Sequence, residues 1–200
     1  MLNNESIEKS LVLLGKRLEI EGSESFDIVV CGGSALIITG LIKKRTFTKD
    51  IDLVGLGYKD PDGKLTVREC LELPEPLEKA VKQVARDLGL EEKWLNTGPA
   101  DLVRLGLPEG FAERLQTRKY GNILTVYFTG RIDQIFFKLY AAVDQGPGKH
   151  IDDLKELNPT EQELESAAKW AMTHDVSEGF RSALKDMLRK LGYDKIAERI

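Results

Sequence analysis

The chain has little cysteine, no long apolar run and no excess of positive charge, and each shortage removes a class of protein. Two cysteines, Cys31 and Cys70, occur in 200 residues. That is too few for a disulfide framework, and most free cysteines are small buried hydrophobes, so a reduced, cytoplasmic chain is expected. No apolar run approaches the roughly 20 residues that a membrane helix needs, so no membrane partner is expected. The start, Met1-Leu2-Asn3-Asn4-Glu5, lacks the basic opening of a signal peptide. Lysine and arginine number 29 against 33 acidic residues, a net charge of −4. That balance argues against a dedicated duplex-binding face, though not against a local basic patch.

What is present describes an ordinary globule. Hydrophobic residues make up 42% and charged residues 31% of the chain, enough apolar surface for a core without staples. The first segment spaces Ile7, Leu11, Leu14 and Leu18 as one face of a helix, with Asn4 or Ser6 as cap and Gly22 as stop. Phe26 to Cys31 reads as a buried strand. It runs into Gly32-Gly33-Ser34 and then an apolar helix, Ala35 to Leu41. A second strand follows at Asp50 to Val54. Leu65 to Leu73 is open between a short strand and a loop. Pro74 and Pro76 open a helix to Leu88, ended by Gly89. Strands are expected at Lys93 to Asn96 and Asn122 to Phe128, with a helical turn from Asp101 to Leu105 between them. Beyond Gly130 the pattern is helical, including a capping box at Thr160 and Glu163. The expected organisation is an α/β core over residues 1–128 and a helical part over 129–200, packed on the core.

One constellation carries chemistry. Glycines at a strand end let a ligand approach the backbone, and free N–H groups at the following helix start suit an anion, with the Ser34 hydroxyl as a further donor. Asp50 and Asp52, at i and i+2 on a strand, share a face. Paired carboxylates suit Mg²⁺ or Mn²⁺, whose remaining ligands often come from phosphates. A phosphate cradle beside two carboxylates is what nucleotidyl transfer requires. Lys43, Lys44, Arg45 and Lys49 precede the acids and could meet phosphates or RNA. Trp94 and Trp170 read as core aromatics rather than stacking platforms.

The order strand, Gly32-Gly33-Ser34, helix, Asp50-Ile51-Asp52-Leu53 resembles the nucleotidyltransferase superfamily. Arg45, Thr46 and Thr48 fit the basic, hydroxylated approach that many members place ahead of the acids. Lys138-Leu139-Tyr140-Ala141-Ala142 and Asp152-Asp153-Leu154 resemble the second half of the AbiEii-type toxins and their uncharacterised bacterial relatives. The resemblance implies an α+β fold: a small mixed β-sheet with flanking helices and a helical carboxy-terminal part. It implies transfer of a nucleoside monophosphate from an NTP to an unknown acceptor, RNA or protein, with a possible cognate antitoxin as partner. Asp50 and Asp52 would hold metal and act in catalysis with Lys138 and Asp153. Gly32, Gly33, Ser34, Arg45 and Thr48 would hold the nucleotide.

One departure stands out. Active members carry a third carboxylate on a later strand, and here that strand ends in Asn96, with Asp101 beyond Gly98-Pro99. If neither supplies an acid, the alternative is a catalytically lapsed nucleotide-binding or partner-binding protein of the same fold.

Overall fold

β1 (Phe26–Cys31) is the strand around which the first part of the chain is organised. Its sequence, Phe-Asp-Ile-Val-Val-Cys, is buried everywhere except at Asp27, as a strand covered on both faces requires. It pairs antiparallel with β2 (Ile51–Lys59) and parallel with β6 (Leu124–Phe128). β3 (Leu65–Arg68) extends the sheet from β2, and β5 (Gln116–Lys119) extends it from β6, both antiparallel. β4 (Leu95–Asn96) lies parallel to the start of β2. The outcome is a six-stranded mixed sheet of order β3-β2-β1-β6-β5, with β4 beside β2. The computed structural model describes all 200 residues, Met1 to Ile200. They form two compact units, Met1–Gly130 and Arg131–Ile200.

Four helices belong to the first unit: α1 (Asn4–Ile20), α2 (Gly32–Ile38), α3 (Glu75–Leu88) and α4 (Asp101–Leu105). α1 packs on α2, α3 and β6, and α2 packs on β1 and β2. The cap of α1 is Asn3 rather than the expected Asn4 or Ser6, and Ser6 completes the capping box. The Asn3 side chain accepts from the Ser6 N–H at 2.8 Å, and the Ser6 hydroxyl accepts from the Asn3 N–H at 2.7 Å. Gly15 lets α1 come close to the sheet, because a Cβ there would stand 2.0 Å from the Tyr120 carbonyl oxygen. α3 starts behind Pro74 and ends on Gly89 at φ +62°, as the sequence indicates. Trp94 is 1% exposed, and its indole donates to the Val81 carbonyl at 3.0 Å, fixing β4 against α3.

Several elements differ from expectation. β2 starts at Ile51 and runs on to Lys59, so Asp50 lies just ahead of the strand expected over Asp50 to Val54. α2 begins three residues early, at Gly32 rather than Ala35. Gly32 sits at φ +70°, so the chain turns from strand to helix with no intervening loop. β4 keeps only two residues of the expected Lys93 to Asn96 strand. β5 was not expected: Gln-Thr-Arg-Lys has no apolar alternation because it is a largely exposed edge strand.

The second unit is helical throughout: α5 (Arg131–Asp144), α6 (Gly148–Leu157), α7 (Glu161–His174), α8 (Glu178–Lys190) and α9 (Asp194–Arg199). α5 is its centre and packs on α6, α7 and α8. Phe136, Phe137 and Tyr140 of α5 set their rings 5.7, 5.8 and 6.0 Å from Trp170 of α7. Arg131 ties three segments together. It donates to the Leu157 carbonyl at 2.9 Å, the Asn158 carbonyl at 2.8 Å and the Glu163 carboxylate at 2.6 Å. The capping box of Thr160 and Glu163 forms as read from the sequence. No helix of either unit is long and apolar enough to cross a membrane.

Candidate active site

The site is built where β1 ends. Cys31 is registered opposite Asp52 across the β1–β2 ladder, so the carboxylate of Asp52 arrives beside the turn into α2. A Cβ on Gly32 would stand 2.6 Å from Asp52 Oδ2. Gly32 therefore serves two ends: it permits the left-handed turn, and it leaves the space that the carboxylate uses. Gly33 likewise leaves space for a second pair of side chains. A Cβ there would lie 2.8 Å from Thr48 Oγ1 and 3.1 and 3.2 Å from the two terminal nitrogens of Arg45. Gly32 thus meets Asp52, and Gly33 meets Arg45 and Thr48.

Thr48 is held by the amino-terminal segment. Leu2 and Thr48 form an isolated antiparallel bridge, with N–H to carbonyl distances of 2.7 and 2.8 Å. Leu2 is 1% exposed. Sequence reading gave Leu2 no role, because a single bridge between residues 46 positions apart leaves no local pattern.

Ser34 lies deeper. It is fully buried, and its hydroxyl donates to the Cys31 carbonyl at 3.3 Å. Its interaction is with the strand end it follows. Asp50 precedes β2 and is partly exposed. With Lys49, Leu95 and Asn96 it lines an open groove of about 960 Å³ beside α3.

The third-acid position is the informative one. Asn96 stands in register with Asp52 across the β2–β4 pair. Its amide nitrogen donates to Asp52 Oδ1 at 3.3 Å, while its oxygen accepts from the Gly98 N–H at 2.9 Å. That second bond fixes which way the amide points, so Asn96 presents a donor to Asp52. Asp101 heads α4, with its side chain 61% exposed and paired to Arg104 at 3.2 Å. No group of three or more Asp, Glu, His or Cys side chains is gathered closely enough to hold an ion.

Lys138 and Asp153, the other two residues singled out from sequence, meet each other inside the second unit. Their Nζ–Oδ2 distance is 2.9 Å, and the side chains are 6% and 4% exposed. Both cysteines are buried and free of disulfides.

A strand, two glycines entering a helix without a loop, and an aspartate on the neighbouring strand that fills the space left by the first glycine define a nucleotidyltransferase-type protein. A family model described as a nucleotidyltransferase of unknown function (DUF6036) matches residues 10–158, and the chain belongs to that family. No curated protein and no solved structure matches the chain significantly.

Proposed function

We propose that the protein is a metal-dependent nucleotidyltransferase that uses an NTP as donor. The observation that carries this reading is the fit of Asp52 against Gly32, with Arg45 and Thr48 gathered over Gly33. A carboxylate and a guanidinium close to a bare backbone turn suit a triphosphate with its cation.

The donor set fits Mg²⁺ or Mn²⁺. Mg²⁺ is commonly held by one or two carboxylates and completes its shell with water and substrate phosphates, so Asp52 with Asp50 is a sufficient protein contribution. When bound, the cation neutralises the triphosphate and stabilises the leaving pyrophosphate. Arg45 would hold phosphate oxygens through its planar fork, and Thr48 would donate its hydroxyl. In the reaction an acceptor hydroxyl oxygen forms a bond to the α-phosphorus. The bond from that phosphorus to the bridging oxygen breaks, pyrophosphate leaves with the electron pair, and the hydroxyl proton passes to solvent. A toxin-like role, checked by a cognate antitoxin, follows only as far as the resemblance to AbiEii-type toxins extends.

The second reading, a nucleotide-binding protein without transfer, is favoured by one observation: a neutral amide faces Asp52 where a third acid would stand. Both readings predict that NTP with Mg²⁺ raises the melting temperature through ligand linkage. Asp52→Asn should abolish that rise, measured by differential scanning fluorimetry. Transfer of label from α-³²P-NTP to an RNA or protein pool separates them. Transfer by wild type but not by Asp52→Asn supports the enzyme. A melting rise without transfer supports binding alone, and no rise at millimolar NTP removes both.

A further inference from the structure

The loop between α2 and β2 leaves an arrangement that the nucleotide site does not use. From Ile28 to Lys49 the sequence contains no acidic residue, and its last seven positions, Lys-Lys-Arg-Thr-Phe-Thr-Lys, carry four cations. The loop is fixed at both ends. Ile42 is 4% exposed at one end, and Thr48, bonded to Leu2, is 7% exposed at the other. Between these anchors Lys43, Lys44, Thr46 and Phe47 face solvent, and Lys49 follows them there. Phe47, at 48% exposure, is the only one of seven phenylalanines left largely in water. An aromatic ring held out on a short tethered loop, with lysines before and after it, is the pairing that single-stranded nucleic acids recognise. The lysines meet phosphates, and the ring offers a face to an unpaired base.

We propose that residues 43–49 form a contact for single-stranded nucleic acid, with Phe47 stacking on a base and Lys43, Lys44 and Lys49 following the backbone. A duplex hides its base faces and offers Phe47 nothing, so single strands are preferred. On the transferase reading, the bound strand is the acceptor, delivered to the loop that continues into Asp50 and Asp52. The binding itself does not depend on that reading.

The test is fluorescence anisotropy of the full chain with labelled 12-nucleotide RNA and DNA single strands, the same sequence as a duplex, and phosphatidylserine vesicles as a competitor. Wild type should bind a single strand more tightly than the duplex. Phe47→Ala should weaken this roughly 5- to 150-fold, the range for loss of one stacked base. Phe47→Tyr should restore it, and Phe47→Leu should not. The Lys43→Ala/Lys44→Ala double variant should reduce the slope of log affinity against log salt by about 1.4, two phosphates' worth for a single strand. The RNA and DNA arms show which sugar is accepted. Absence of single-strand binding at low salt, full affinity in Phe47→Ala, rescue by Phe47→Leu, or displacement of the strand by vesicles would each overturn the proposal. NTP-induced melting shifts in Phe47→Ala report the nucleotide site separately, so loss of strand binding with the shift retained cannot be confused with failure of the nucleotide reading.

Discussion

Asp52 and Asp153 are the same side chain in two settings, and the two units treat them in opposite ways. In the sheet unit, Asp52 remains partly exposed. It lies against a turn that has no side chain of its own, and it accepts a hydrogen bond from the Asn96 amide at 3.3 Å. In the helical unit, Asp153 is buried and ion-paired to Lys138 at 2.9 Å. The first aspartate keeps contact with solvent. The second has its counter-charge built in, on a neighbouring helix. Burial, rather than the aspartate itself, separates the two settings.

The largest effect should come from breaking the internal pair. Lys138→Met or Asp153→Leu alone leaves one buried charge without its partner and should cost about 3–5 kcal/mol, while the double replacement should recover most of that. Denaturant midpoints of the three variants measure this, and a single variant with the wild-type midpoint would sink the contrast. A smaller effect is expected from making the open site more acidic. Asn96→Asp sets two carboxylates in register and should destabilise the metal-free protein by on the order of 1 kcal/mol. It should also enlarge the melting rise on adding Mg²⁺ or Mn²⁺. Melting curves in EDTA and in millimolar metal check both, and an unchanged metal response would show that Asp52 is not a cation ligand.

The smallest effect is in pH dependence. The Arg131 guanidinium, aided by the Thr160 N–H, holds the Glu163 carboxyl below the usual carboxylate range. A depressed folded-state pKa stabilises the fold above the unfolded value of about 4.3, and that contribution is lost as pH falls through the folded pKa. The stability difference between wild type and Glu163→Gln should therefore narrow as the solution is acidified from pH 6 through this window. A constant difference across it would remove Glu163 as a titrating contributor.

Much of this was legible in the residues. β1 announces itself as an apolar run, α1 by the spacing of Ile7, Leu11, Leu14 and Leu18, and α7 by its Thr160–Glu163 box. The glycine pair and Asp52 were readable as a motif. Their contact was not, because it depends on Cys31 and Asp52 being opposed across a ladder whose register shifts between Val29 and Val30. The same applies to Asn96: its residue type was visible, but its bond to Asp52 needed the two-residue β4 to pair with β2. β5 was hidden because an edge strand with both faces largely in water imposes no alternation on its sequence.

The bridge from Leu2 to Thr48 has a practical consequence. Anything fused ahead of Leu2 begins one residue from the tether that holds Thr48 against Gly33, at a Met1 that is 86% exposed. An affinity handle placed there would tug on the loop that carries Thr48, or lie across it, and could mute an assay while the protein still melted normally. Purification handles belong after Ile200, and any activity found lacking in an amino-terminally tagged preparation should be measured again with the tag removed.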